Sequence, residues 1–87
     1  MSWEVYIIEA DNGKFYTGIS NDLDKRFHNH QKGKGARFFR FSAPKKVLYR
    51  EIQPNRSSAL RREASLKKLT RAEKISLMNK PANLLLV

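Results

Sequence analysis

Trp3-Glu4-Val5-Tyr6-Ile7-Ile8-Glu9, then Asp11-Asn12-Gly13, then Lys14-Phe15-Tyr16-Thr17-Gly18-Ile19-Ser20, read as two strands joined by a tight turn. β-Branched and aromatic residues fill both segments, and such side chains suit a pleated, half-buried surface. In the first segment both alternating faces are apolar, so this strand is expected to be covered on two sides. Asn-Gly flanked by such runs is a strong hairpin signal. Two turns remain open. A two-residue turn at Asn12-Gly13 would send Tyr6 and Tyr16 to opposite faces. A three-residue loop Asp11-Asn12-Gly13, with Gly13 left-handed, would pair Tyr6 with Gly18 and Ile8 with Tyr16, and put both hydroxyls on one face. Gly18 opposite Tyr6 would then leave room for the backbone of a ligand.

Outward from the hairpin, Ser20-Asn21-Asp22 supplies capping oxygens for a helix over about 22–32, which Gly33 can end. Gly33–Ser42 reads as a short helix or an ordered loop closed by Pro44. Lys46–Ile52 is a third strand. Asn55-Arg56-Ser57-Ser58 opens a helix over about 58–68, and Thr70-Arg71-Ala72-Glu73 is a capping box for another that stops at Asn79-Lys80-Pro81. The order β-β-α-(α)-β-α-α predicts an α+β fold: a small three-stranded antiparallel sheet flanked by helices. Residues 1–87 are expected to form a single domain, with an apolar tail over 82–87.

The chain has 87 residues, 18 Lys+Arg against 8 Asp+Glu, a net charge of +10, and no cysteine. No apolar run approaches the roughly 20 residues that a membrane span needs. Met1-Ser2-Trp3-Glu4 lacks a basic start leading into an apolar stretch, so no secretory signal is expected. Without cysteine there is no disulfide framework and no thiolate zinc site. A cytoplasmic protein, monomeric, with a polyanionic partner is the expectation.

Three features resist explanation by packing alone. In the first helix Leu23, Phe27 and His30 form an apolar stripe, with Arg26 beside it one turn before His30. A guanidinium turned toward a sheet needs an anion. Arg26 either binds one, with His30 sharing it or moving a proton, or reaches solvent while His30 packs in the core. Second, Glu63 shares a stripe with Ala59, Leu60 and Leu66, whereas Arg61, Arg62, Lys68 and Arg71 mostly face elsewhere. A carboxylate there either pairs with an inward Arg, Arg26 being the candidate, or binds a cation. Third comes the pair Tyr6 and Tyr16. Arg37-Phe38-Phe39-Arg40-Phe41 alternates basic and aromatic residues. It suits either a contact with an unpaired base or a core plug with solvated arginines. Lys14, Arg37, Arg40, Arg62, Lys67 and Arg71 are candidate phosphate contacts. No base-reading motif stands out.

Val5-Tyr6-Ile7, Tyr16-Thr17-Gly18, Arg26, His30 and Glu63 together resemble the GIY-YIG nuclease superfamily. The chain is most similar to its small stand-alone bacterial members known as UPF0213. Tyr16-Thr17-Gly18-Ile19, Asp22-Leu23 with Arg26 and His30, Gly33-Lys34-Gly35-Ala36 and Leu60-Arg61-Arg62-Glu63-Ala64 carry the match, which runs from about Trp3 to Met78. Val5 stands where the motif name has Gly, and Thr17 where it has Ile. The resemblance implies a metal-dependent DNA endonuclease, structure-selective or of low specificity, working in DNA repair or processing. Glu63 would be the ligand of one Mg²⁺ or Mn²⁺ and Arg26 the phosphate contact. Tyr6, Tyr16 and His30 would handle the attacking water, Tyr6 ranking first as base, its pKa lowered by Arg26, Lys14 or the metal. Asn79 is the nearest match to a C-terminal Asn used in some members. A nucleic-acid binding module with little or no turnover is the alternative.

Overall fold

The computed structural model describes residues 2–34, 37–40, 42–80, 83 and 84, with only the backbone described at Arg37 and Arg40. In chain order it has β1 (Trp3–Ala10), β2 (Phe15–Ser20), α1 (Leu23–Gln31), a 3₁₀ helix (Arg37–Arg40), β3 (Pro44–Gln53), α2 (Arg56–Lys67) and α3 (Arg71–Met78). The expected order and class are realised, the bracketed helix being the 3₁₀ turn. The apolar tail expected over 82–87 lies outside the described residues, apart from Asn83 and Leu84.

The sheet is antiparallel in the order β2-β1-β3. Central β1 is covered on both faces, and Val5, Tyr6, Ile7 and Ile8 are all fully buried. Burying such side chains contributes about 1.5–3 kcal/mol each before chain entropy is subtracted. Because side chains alternate along a strand, β1 feeds two separate clusters. Val5 and Ile7 pack with Tyr49, Ala59, Leu66 and Leu77 under α2 and α3. Tyr6, Ile8 and Ala10 pack with Leu23 and Phe39 under α1 and the 3₁₀ helix.

The hairpin takes the three-residue loop. Gly13 has φ +83°, a left-handed conformation that glycine adopts without penalty. Ala10 N donates to Lys14 O and Gly13 N to Ala10 O, both at 2.9 Å. The register that follows pairs Tyr6 with Gly18 and Ile8 with Tyr16. Side-chain oxygens set the helix starts. Asp22 accepts from Lys25 N at 3.2 Å, Asn55 from Ser58 N at 2.8 Å, and Thr70 with Glu73 completes the capping box. Asn55 as cap starts α2 at Arg56, two residues before the expected Ser58.

Candidate active site

Positions in β1, β2 and α1 gather Tyr6, Tyr16 and His30 on the α1 side of the sheet. The Tyr6 hydroxyl and His30 Nε2 share a buried hydrogen bond of 3.1 Å. The Tyr6 and Tyr16 ring centroids lie 6.3 Å apart, and Tyr16 and His30 meet edge to face at 5.5 Å. Phe39 closes the cluster at 4.5 Å from His30 and 4.9 Å from Tyr16. Phe39 is buried and Phe38 packs half-buried against Tyr16, so the aromatics of this segment serve as a core plug. The side chains of Arg37 and Arg40, and all of Phe41, lie outside the described residues.

Gly18 has a different use from the one its position suggested. A Cβ there would meet the Tyr6 hydroxyl oxygen at 2.6 Å and its Cζ at 2.7 Å. The space is therefore filled by Tyr6 itself and holds no room for a ligand's backbone. The small residue lets the Tyr6 ring lie across β2 with its hydroxyl aimed at His30.

Arg26 is half-buried in α1, and its Nε is buried without a hydrogen-bond partner among the described residues. It does not pair with Glu63. Glu63 lies half-buried on α2, which packs on β2, and its ion pair is with Lys67 on the next turn at 3.7 Å. Both charges nevertheless act on the tyrosines: Arg26 favours and Glu63 disfavours ionisation of Tyr6 and of Tyr16. Arg26 and Glu63 thus both lie within electrostatic range of the two tyrosines, and Arg26 also within range of His30.

Burial is the larger force on the titrating groups. It pushes Tyr6 up to about 12, with Tyr16 adding to the rise and Arg26 opposing it. Tyr16 is raised for the same first reason. Arg26 alone does not bring either tyrosine below its ordinary value, because a buried phenolate costs more than one guanidinium returns. His30 is lowered to about 4, by burial first and by Arg26 second. The Lys34 main chain favours the protonated ring, although Nδ1 makes no hydrogen bond of good geometry. At neutral pH, Tyr6 and His30 form a neutral hydrogen-bonded pair.

Among the described residues no three His, Asp or Glu side chains gather to hold a metal. Glu63 is thus a lone carboxylate. That does not suit zinc, which takes three or four protein ligands. It does suit Mg²⁺ or Mn²⁺, since Mg²⁺ keeps several waters and binds through one or two carboxylates plus substrate phosphate. Beside the cluster runs an open cleft of about 390 Å³, with Arg26 in its wall between Trp3 and Ile19 on the sheet and Asn29 on α1.

The remaining candidate residues divide. Lys14 and Lys67 are exposed. Arg62 is not turned away from the fold as expected: its Nε donates to Glu51 Oε2 at 3.0 Å. Leu60, expected on the buried stripe, is 39% exposed. The buried positions of α2 are Ala59 and Leu66, with Arg62 and Glu63 at the margins. Arg71 stands over the Phe15 ring at 4.0 Å and donates to Gly13 O at 2.8 Å. Asn79 is the exposed C-cap of α3. The structural Asn is Asn83, which no motif or spacing in the sequence marks. It is buried, accepts from Arg50 N at 3.2 Å, and donates to Leu48 O and Met78 O at 3.1 and 2.9 Å.

Residues 2–76 match the family model of the GIY-YIG catalytic domain, and the chain belongs to that family of nucleases. Within it, the chain is 43% identical over 74 residues to a UPF0213 protein of Xanthomonas axonopodis pv. citri, covering 85% of this chain and 72% of the relative. It is 43% identical over 76 residues to a UPF0213 protein of Pseudomonas aeruginosa, covering 87% and 73%. The fold matches the solution NMR structure of a UPF0213 protein from Bacillus halodurans with a TM-score of 0.59 and 33% identity, over 98% of this chain and 90% of that one.

Proposed function

We propose that the protein is a DNA endonuclease that hydrolyses a phosphodiester held at Arg26, with Glu63 binding one Mg²⁺ or Mn²⁺. The observation that carries this is Arg26, half-buried beside the Tyr6–His30 pair, with its Nε lacking a hydrogen-bond partner among the described residues. A phosphate oxygen satisfies a guanidinium well, through short charge-assisted hydrogen bonds.

The bound phosphodiester is itself an anion, and this changes the pair. It offsets the Arg26 charge that helps hold His30 at about 4, so His30 becomes more basic when substrate is present. The same anion makes a Tyr6 phenolate still less favourable. Tyr6 therefore orients the attacking water, takes its proton, and passes its own hydroxyl proton to His30 Nε2 in the same step. That step uses the His30 tautomer with its proton on Nδ1, which leaves Nε2 free to accept. Tyr16 flanks the water from the outer strand. A bound divalent ion supplies charge stabilisation on phosphorus oxygens and on the leaving oxygen. Lys14, Lys67 and Arg71 hold the neighbouring backbone phosphates. No base-reading motif stands out in the sequence, so selectivity would be for DNA shape and strand structure, in repair or processing.

The two resting pKa values lie far from neutrality, which favours a second reading: a binding module with little turnover. One experiment separates them. Branched, flapped, single- and double-stranded DNA is incubated with Mg²⁺ or Mn²⁺ and with wild type or Glu63→Ala. Cleavage lost in the variant with binding retained supports the enzyme; identical trace nicking by both proteins sinks it.

A further inference from the structure

The open cleft lined by Trp3, the end of β2, α1 as far as Asn29 and the first residue of α2 has more room than a phosphate needs. Its walls carry Lys25, Arg26 and Arg56 against one carboxylate, Asp22. Asp22 is occupied as the cap of α1, so the local field favours an anion. The floor is aromatic and apolar, from Trp3 and Ile19. Arg56 is exposed and stands 5.9 Å from the Trp3 ring centroid, near the outer limit of a cation–π contact. It can therefore leave the ring for a phosphate. Asn21 and Asn29 line this cleft, and their side-chain amides make no hydrogen bond among the described residues, so each has both a donor and an acceptor to offer. Volume agrees, since about 390 Å³ lies near the lower end of ligand pockets, roughly 300–1,000 Å³.

We propose that this cleft is a nucleotide subsite, taking one unpaired nucleotide of a DNA strand next to the phosphate at Arg26. Its base stacks on Trp3 and is hydrogen-bonded by Asn21 and Asn29, while Arg56 and Lys25 meet the flanking phosphate. The inference rests on the reading of Arg26 as the phosphate contact. It deepens that reading by naming the preferred substrate as a strand with an unpaired base beside the cut. A paired base, stacked within a duplex, offers no free face to Trp3.

Trp3 is the chain's single tryptophan, so its fluorescence reports on this cleft without any cleavage step. The full chain, in chelator and low salt, is titrated with a short single-stranded oligodeoxynucleotide and with an abasic strand of equal phosphate count. Binding is followed in parallel by anisotropy. The base-bearing strand should quench Trp3 saturably and bind about 5- to 150-fold tighter, the range expected for stacking one base on an aromatic ring. Asn29→Ala, a helix-compatible surface change, should weaken that strand several-fold and leave the abasic strand unaffected. Equal affinity and quenching by the two strands would overturn the subsite, as would binding that leaves Trp3 emission unmoved. Either result leaves the nuclease reading standing. Base-dependent quenching here, with no cleavage when Mg²⁺ or Mn²⁺ is supplied as in the assay above, keeps the subsite and removes the turnover. Binding of neither strand overturns both.

Discussion

The Tyr6 hydroxyl and His30 Nε2 are hydrogen-bonded at 3.1 Å inside the fold, from a central strand to the helix that covers it. This one contact is both packing and chemistry. Tyr6→Phe keeps the ring and its packing but leaves His30 Nε2 buried and unpaired, at a cost of about 1–3 kcal/mol in stability. Under the proton path proposed above, cleavage should fall by about 10²–10⁴-fold. Urea unfolding and single-turnover cleavage measured on the same variant check the two effects together. Unaltered cleavage would remove Tyr6 from the proton path.

His30 also makes stability depend on pH. Its ordinary value is 6.5, and burial followed by Arg26 lowers it to about 4 in the folded protein. Between those values the unfolded chain binds more protons than the folded one, so acid favours unfolding. The contribution is fully present above the unfolded value, is lost as pH falls through the window, and levels off below the folded value. The whole displacement amounts to roughly 3 kcal/mol. Urea midpoints at about pH 7 and about pH 5 should therefore differ in wild type and differ much less in His30→Phe.

Two glycines separate strain from function. A methyl at Gly18 would collide with the Tyr6 hydroxyl at 2.6 Å, which overpacking data place at about 1–3 kcal/mol. Gly18→Ala should also displace that hydroxyl from His30 and cut activity with it. Gly13→Ala meets nothing within 4 Å but must hold φ +83°, a backbone cost of about 1 kcal/mol. It should destabilise without lowering cleavage per folded molecule. Thermal melts paired with turnover distinguish the two.

Much of this was legible in the sequence because the signals were local. Asp11-Asn12-Gly13 announced the hairpin, the capping box at Thr70–Glu73 announced α3, and spacing put Arg26 beside His30. The register followed from turn length, and turn length follows from which residue takes the left-handed conformation, something Asn-Gly alone leaves open. Partners across the fold stayed hidden. Arg62 looked like a free phosphate contact because its acceptor, Glu51, lies on β3. Gly18 looked like an opening for a ligand because the fold, not the sequence, lays Tyr6 over it. Asn83 carried no pattern, since its acceptors and donors are backbone groups of β3 and α3. Periodicity also placed Leu60 inside, whereas α2 leans on the sheet through Ala59 and Leu66.

Thr17 stands where the family name has Ile, and it is 3% exposed with its Oγ1 unpartnered among the described residues. A buried hydroxyl without a hydrogen bond carries a desolvation cost. Thr17→Val keeps the β-branched shape and removes that group, and should raise stability by about 1 kcal/mol. A raised urea midpoint with an unchanged slope is the expected result; a lowered midpoint would mean that the hydroxyl is bonded.

Arg62 and Lys67, both initially candidate DNA contacts on α2, should behave differently. Glu51 is pushed up by burial, but hydrogen bonds from Tyr49, Arg62 and Gln53 outweigh this and hold its carboxyl below the ordinary value. Tyr49 donates to Glu51 at 2.6 Å and Gln53 at 2.7 Å. Removing Arg62 leaves a largely buried carboxylate with less compensation. The Arg62 side chain is 36% exposed, so the loss should be about 1–3 kcal/mol, less than for a fully buried pair. Its charge is already spent within the fold, so the salt dependence of DNA binding should hardly move. Lys67 is exposed, with a 3.7 Å contact to Glu63. Lys67→Ala should cost little stability, weaken binding to all DNA alike, and lower the salt slope by about 1. Binding isotherms over a salt series for the two variants decide the assignment, and a reduced slope in Arg62→Ala would return Arg62 to the DNA-binding surface.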